Sequence, residues 1–220
     1  MKTVICITTR NRPEAFNKCY SEWQKYFPHT PIIVVDDASS EEYAKADYRF
    51  AERAGISRVK NKCLELAMAA GAEHIFLADD DVYPLSSDAL QPYIDSEHKH
   101  LCYTFLAPYK YVQGHKYHTL GNGCMLYLHR DVINKIGGFD TYFQNKYEHT
   151  QLSHRAATSG FCPVPFVDVV GSQNLFHAMD EYEEITRSST TEEMKQQLKA
   201  GAAHFNNTLT DKKFYPYCDD

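Results

Sequence analysis

Three adjacent carboxylates, Asp79, Asp80 and Asp81, end the apolar run in IFLADDDVYP at 75–84. Packing gives no reason for this, since like charges repel and carboxylates are seldom buried without a partner. If the run is a strand, Asp79 and Asp81 project from one face at its C-terminal end, where a hard divalent cation can be held by both. A solvated acidic turn is the plainer reading of this stretch alone. A second acidic turn, Asp36-Asp37-Ala38-Ser39-Ser40, follows the apolar IIVV of 32–35. Arg58, Lys60, Asn61 and Lys62 lie in the first turns of a helical pattern. A helix N-terminus with added cations suits a diphosphate, and a solvated basic face is again the simpler alternative.

The surrounding pattern supplies elements that can position these groups. TVICITT at 3–9 has the unbroken, β-branched character of a strand buried on both faces, as in a parallel sheet. Pro13 opens a helix on which Phe16, Cys19, Tyr20, Trp23 and Phe27 recur at helical spacing. With IIVV as the next strand, this is a βαβ unit whose polar residues gather at the C-terminal strand ends, where open α/β sheets bind ligands. A short third strand within 47–52 and a helix over 57–70, closed by Gly71, precede the strand at 74–78 that delivers the aspartates. Further strands are expected at 100–106, 121–130 and 165–171. A mobile Tyr- and His-rich loop is expected at 108–121, a short helix from Asp131, and a helix over 148–159. Ser189 to Glu193 resembles a capping box before a last helix.

At 220 residues the chain suits one domain. A hydrophobic content of 43% and a charged content of 24% fit a soluble globular protein. With a net charge of -6 and scattered Lys and Arg, a pervasive grip on nucleic acid is not indicated. The N-terminus does not read as a secretory signal and no run approaches a membrane span, so a cytoplasmic protein is expected. The seven cysteines are odd in number and never arranged as CxxC, which fits thiols in a reducing compartment better than a disulfide frame or a cysteine zinc site. The 16 tyrosines suit either a surface that stacks on sugars or bases, or core packing.

Taken in order, these motifs make the chain resemble the family 2 glycosyltransferases of the GT-A fold over about residues 1 to 180. The resemblance implies an α/β fold with a Rossmann-like, mostly parallel sheet flanked by helices and a smaller acceptor-side subregion. Residues 1–84 would be the nucleotide-binding half, 85–180 the donor-sugar and acceptor half, and 181–220 a C-terminal helical tail. In TTRNRPEAF, Thr8 and Arg10 would lie near the nucleoside. In VVDDASS, Asp37 would accept a hydrogen bond from the base. GISRVKNKCLELA is similar to the family stretch ending in Arg-Asn, with Lys60 and Asn61 at those positions and Arg58 beside them. FLADDDVYP looks like the DxD element, with Asp79 and Asp81 on the metal and Asp80 on the donor side, or Asp80 in place of Asp81. GNGCMLYLHRDVINKIGGFD resembles the segment that closes over the donor sugar, which places Gly123 and Asp140 there. Where the family has Glu-Asp at the start of its acceptor helix, this chain has Glu148-His149.

The implied reaction is transfer of a sugar from a nucleoside diphosphate sugar, UDP-linked by expectation, to an acceptor hydroxyl with inversion. Mn²⁺ or Mg²⁺ would neutralise the departing diphosphate. His177, in LFHAMDEY, is a candidate further ligand that would lean the site toward Mn²⁺. A base must face the acceptor hydroxyl, and His149 leads, with Glu148 as rival or orienting partner. Glycan, lipid-linked sugar, protein and modified nucleobase all stand as acceptors. A sugar nucleotidyltransferase would need a Gly-rich phosphate loop after the first strand, and TTRNRP has no glycine. A non-catalytic nucleotide-sugar binding module has no need of the aspartates or of the pair at 148–149.

Overall fold

The unbroken apolar runs become the parallel centre of one sheet. The computed structural model describes residues 2–41, 43, 45–105, 109–182, 184, 192–209 and 212–218. Strand β1 (Thr3–Thr9), helix α1 (Pro13–Tyr26), β2 (Ile32–Asp36), the short β3 (Tyr48–Arg49), α2 (Ile56–Ala69) and β4 (His74–Asp79) follow in order, with all four strands parallel. Register aligns their functional ends: Thr8 stands opposite both Val35 and Asp79, and Thr9 opposite Asp36. Helix α1 buries Ala15, Phe16, Cys19 and Trp23, and the Trp23 indole N–H donates to the Val82 carbonyl at 2.9 Å, tying the helix to the chain just past the aspartates.

The second half completes and caps this sheet. It comprises β5 (Val82–Pro84), α3 (Gln91–Ile94), β6 (His100–Tyr103), β7 (Tyr109–Val112), β8 (His115–His118), β9 (Met125–His129), α4 (Arg130–Ile136), α5 (Glu148–Thr158), β10 (Val167–Val169), β11 (Phe176–Ala178) and α6 (Glu192–Thr208). The main sheet has the order β3-β2-β1-β4-β9-β6, in which β9 alone runs against the others. Two smaller sheets, β10-β8-β7 and β11-β5, accompany it.

Several expectations change here. The segment expected as a mobile loop at 108–121 contains a hairpin, β7–β8, closed by Gln113 and Gly114 at φ of 47° and 80°. Positive φ at both central positions is the two-residue turn that matches strand twist. The strands expected at 100–106, 121–130 and 165–171 shorten to 100–103, 125–129 and 167–169. The capping box at Ser189 lies outside the described residues.

Candidate active site

The three aspartates leave β4 in different directions. Asp80 turns inward and is fully buried, accepting from the Thr9 hydroxyl at 2.6 Å and from the Arg12 guanidinium. Asp81 is nearly buried, and its Oδ2 accepts from Arg12 at 2.9 Å. Its Oδ1 is buried and has no hydrogen-bond partner among the described residues. Asp79 accepts from the Thr8 hydroxyl at 3.2 Å and keeps 29% of its side chain exposed. Burial pushes the Asp80 carboxyl up to about 7 against the pull of Arg12, and burial with the neighbouring Asp79 pushes Asp81 up to about 6. Both shifts mean that the cluster holds more negative charge than its protein partners balance. An oxygen-binding divalent cation fits this donor set, because Asp81 offers an unsatisfied buried oxygen and Asp79 an open one.

The sequence points to Arg10 and gives no sign of Arg12. The turn after β1 leaves Arg10 exposed and carries Arg12 onto Asp80 and Asp81. Asn11, at φ 53°, makes that turn, with its side-chain carbonyl accepting from the Ser40 N–H at 2.7 Å.

The second polar group is centred on Lys60. The sequence reads Lys60 and Asn61 as part of a polar helix face, but both are buried. The Lys60 ammonium lies 3.0 Å from Glu148 Oε1, 3.2 Å from the Gly123 carbonyl and 3.7 Å from Asp79 Oδ1. Burial alone would raise the Glu148 carboxyl, but Lys60 and then His149 outweigh it and hold the group well below the usual carboxylate range. Glu148 is therefore ionised. Its Oε1 also lies 3.3 Å from His149 Nδ1, and His149 Nε2 lies 3.1 Å from the Gly121 carbonyl. Gly123, at φ 71°, passes so close to this imidazole that a Cβ there would overlap the ring. The helix that presents the pair is fixed from behind: buried Arg155, on α5, donates to the carbonyls of Ile136 and Gly138.

The other expected site residues take structural partners. Asp37 accepts from the Ala54 N–H at 2.6 Å and the Gly55 N–H at 3.3 Å, so its carboxylate shapes the entry to α2. At the N-terminus of α2 the Ile56 N–H donates to Gln144 O and the Ser57 hydroxyl to Phe143 O. Arg58 is exposed on its first turn. Asn61 uses both ends of its amide on the backbone of Phe139, at 2.9 and 2.7 Å. Asp140 accepts from the Tyr142 N–H at 3.0 Å and pairs with His204 of α6 at 2.7 Å. Among the described residues Asp79, Asp81 and His177 do not converge as a three-ligand group. The His177 ring stacks on Tyr83 and Tyr182, and its Nε2 lies 3.0 Å from Glu184. Its strand nonetheless ends at the site, where the Met179 N–H donates to the Asp81 carbonyl at 2.9 Å.

Among solved structures, GalNAc-T7 with UDP, GalNAc and Mn²⁺ superposes with a TM-score of 0.60 at 12% identity, over 100% of this chain and 52% of that one. TarS of S. aureus superposes at 0.56 with 16% identity, over 96% of this chain and 74% of that one. The chain has the GT-A fold. This GT-A chain is also 27% identical over 172 residues to an uncharacterized glycosyltransferase of Acanthamoeba polyphaga mimivirus, matching 65% of its own length. It spans 64% of the length of that relative. No family model matches it. A putative glucose-1-phosphate thymidylyltransferase from Bacillus anthracis shares the fold at a TM-score of 0.50 and 9% identity, so the fold by itself does not separate sugar transfer from nucleotidyl transfer. No helix among the described residues is long and apolar enough to cross a membrane.

Proposed function

We propose that the GT-A chain is an inverting, metal-dependent glycosyltransferase that moves a sugar from a UDP-linked donor to an acceptor hydroxyl. The observation that carries this reading is the orphaned Oδ1 of Asp81 beside the open carboxylate of Asp79 at the C-terminal edge of a parallel sheet. Mn²⁺ or Mg²⁺ bound there would act as the Lewis acid for the departing diphosphate. Asp80 and Thr9 hold the strand end, and Arg12 keeps the cluster together as a fixed cation. The remaining residues divide the work between residues 1–84 on the nucleotide side and 85–180 on the sugar and acceptor side, with 181–220 as a tail docked through His204. A cytoplasmic setting accords with cysteines that are odd in number and never arranged as CxxC.

For the base we assign His149, with Glu148 as its orienting partner. A carboxylate paired with Lys60 and held far below its usual range is a weak proton acceptor, whereas it is well placed to fix the imidazole through Nδ1. With its single proton on Nδ1, toward Glu148, His149 would turn its unprotonated Nε2 from the Gly121 carbonyl to the acceptor hydroxyl and take the hydroxyl proton. The hydroxyl oxygen forms the new bond to the anomeric carbon, and the electron pair of the breaking bond leaves with the diphosphate. Incubating the protein with UDP-sugars, with and without Mn²⁺, tests the reading: release of UDP that requires the metal supports it. Release of pyrophosphate from a nucleoside triphosphate and a sugar phosphate would replace it with nucleotidyl transfer.

A further inference from the structure

We infer that the chain carries a second cation site, for a transition-metal ion of the zinc type, built from Glu97, His98 and His115 at the end of the sheet opposite the aspartates. One ligand atom from each of the three lies within 4.8 Å of the others. Sheet register fixes the location. His100 at the start of β6 stands opposite Leu128, which stands opposite Ile75 near the start of β4, whereas Asp79 ends β4. Glu97 and His98 immediately precede β6, and His115 opens β8, where it pairs with both Val112 and Val169. The site therefore joins the turn after α3 to the turn end of the β7–β8 hairpin.

Two imidazoles and one carboxylate favour Zn²⁺ and its neighbours over Mg²⁺ or Ca²⁺, which take oxygen ligands. The imidazole rings of His98 and His115 have centroids 4.5 Å apart. His98 Nε2 is buried and has no hydrogen-bond partner among the described residues, an unmade contact that a bound cation would satisfy. His115 Nδ1 lies 3.2 Å from the Gln113 carbonyl. With its N–H given there, Nε2 holds the lone pair, an orientation common for metal-binding histidines. Ser96 Oγ accepts the His98 N–H at 3.1 Å and lies 3.0 Å from His115 Nε2, whose lone pair a bound cation would take over from the Ser96 hydroxyl.

The test is titration of ZnCl₂ into the full chain, followed by calorimetry and by thermal unfolding, in wild type, His98→Ala, His115→Ala, Glu97→Gln and Asp81→Asn. A saturable rise in Tm is expected in wild type and Asp81→Asn, since a ligand that binds only the folded state stabilises it. Affinity should fall at least about tenfold in each histidine variant, the lower end of what loss of a mere supporting partner costs, and less in Glu97→Gln. Zinc-edge absorption on the wild-type protein covers the case in which a variant fails to fold, and should show nitrogen or oxygen ligands at about 2.0–2.1 Å. An unchanged zinc response in both histidine variants, no saturable binding, or a sulfur shell near about 2.3 Å would overturn the site.

Discussion

Lys60 stands between two carboxylate groups that the fold treats in opposite ways. On one side Asp80 and Asp81 are pushed up by burial, and the two acids share one partly exposed arginine. On the other side Glu148 is as deeply buried but is matched by the Lys60 ammonium at 3.0 Å and held low. Similar side chains and similar burial thus give one cluster short of positive charge and one pair in balance. The difference teaches that burial alone does not mark a functional carboxylate; the local charge balance does. The unbalanced cluster is where an added cation gains most, and the balanced pair is a fixed electrostatic element that can orient a neighbour without exchanging its own proton.

The comparison breaks most visibly at the base. His149→Ala should lower kcat by roughly 10²- to 10⁴-fold with little change in donor KM, and Glu148→Gln should lower it less. The reverse order in single-turnover kinetics would make Glu148 the base and end the division of roles. Gly123→Ala should act in the same direction as His149→Ala, because its Cβ must displace the imidazole.

Removing the cation of the balanced pair is the next largest effect. Lys60→Met leaves buried Glu148 with only His149 beside it and should destabilise the fold by about 3–5 kcal/mol in urea unfolding, with part of the loss recovered in the double variant Lys60→Met/Glu148→Gln. Equal losses in the single and double variants would show that the pair is not the source.

The pH dependence of that pair sharpens the contrast. Glu148 has a lowered folded-state pKa, so its stabilisation is present above its unfolded value, roughly 4.3, and is lost as pH falls toward the folded value. Thermal unfolding of wild type minus Glu148→Gln should therefore show a gap at pH 7 that narrows steadily below about pH 4.3. A gap that widens on acidification would mean that Glu148 is held high, like Asp80.

Asp37→Ala carries the smallest expected effect. Freeing the Ala54 and Gly55 N–H groups should cost about 1–3 kcal/mol of stability. A rise in donor KM without that loss would restore the base contact implied by the resemblance.

The sequence showed the βαβ half well because its strands are apolar without interruption and its helices carry one apolar face, so β1, α1, β2, α2 and β4 stand where periodicity puts them. The hairpin at 109–118 was missed because β7 is exposed at all four positions and has no inward side to pattern. Arg12 was passed over for Arg10, since nothing in a turn says which of two arginines reaches back to a strand 68 residues away. Lys60 looked solvated because its partner, Glu148, is 88 residues distant. Asp37 is legible as a polar residue at a strand end, and Asn61 and Asp140 only through the resemblance, whereas the fold shows their hydrogen bonds to backbone groups and to His204.

The most direct test of the unbalanced cluster is UDP binding by calorimetry, with and without Mn²⁺, in wild type and Asp81→Asn. The account predicts binding that requires Mn²⁺ in wild type and is lost in Asp81→Asn while Tm stays near the wild-type value. Binding of equal strength without the metal, or undiminished Mn²⁺-dependent binding in Asp81→Asn, would contradict it.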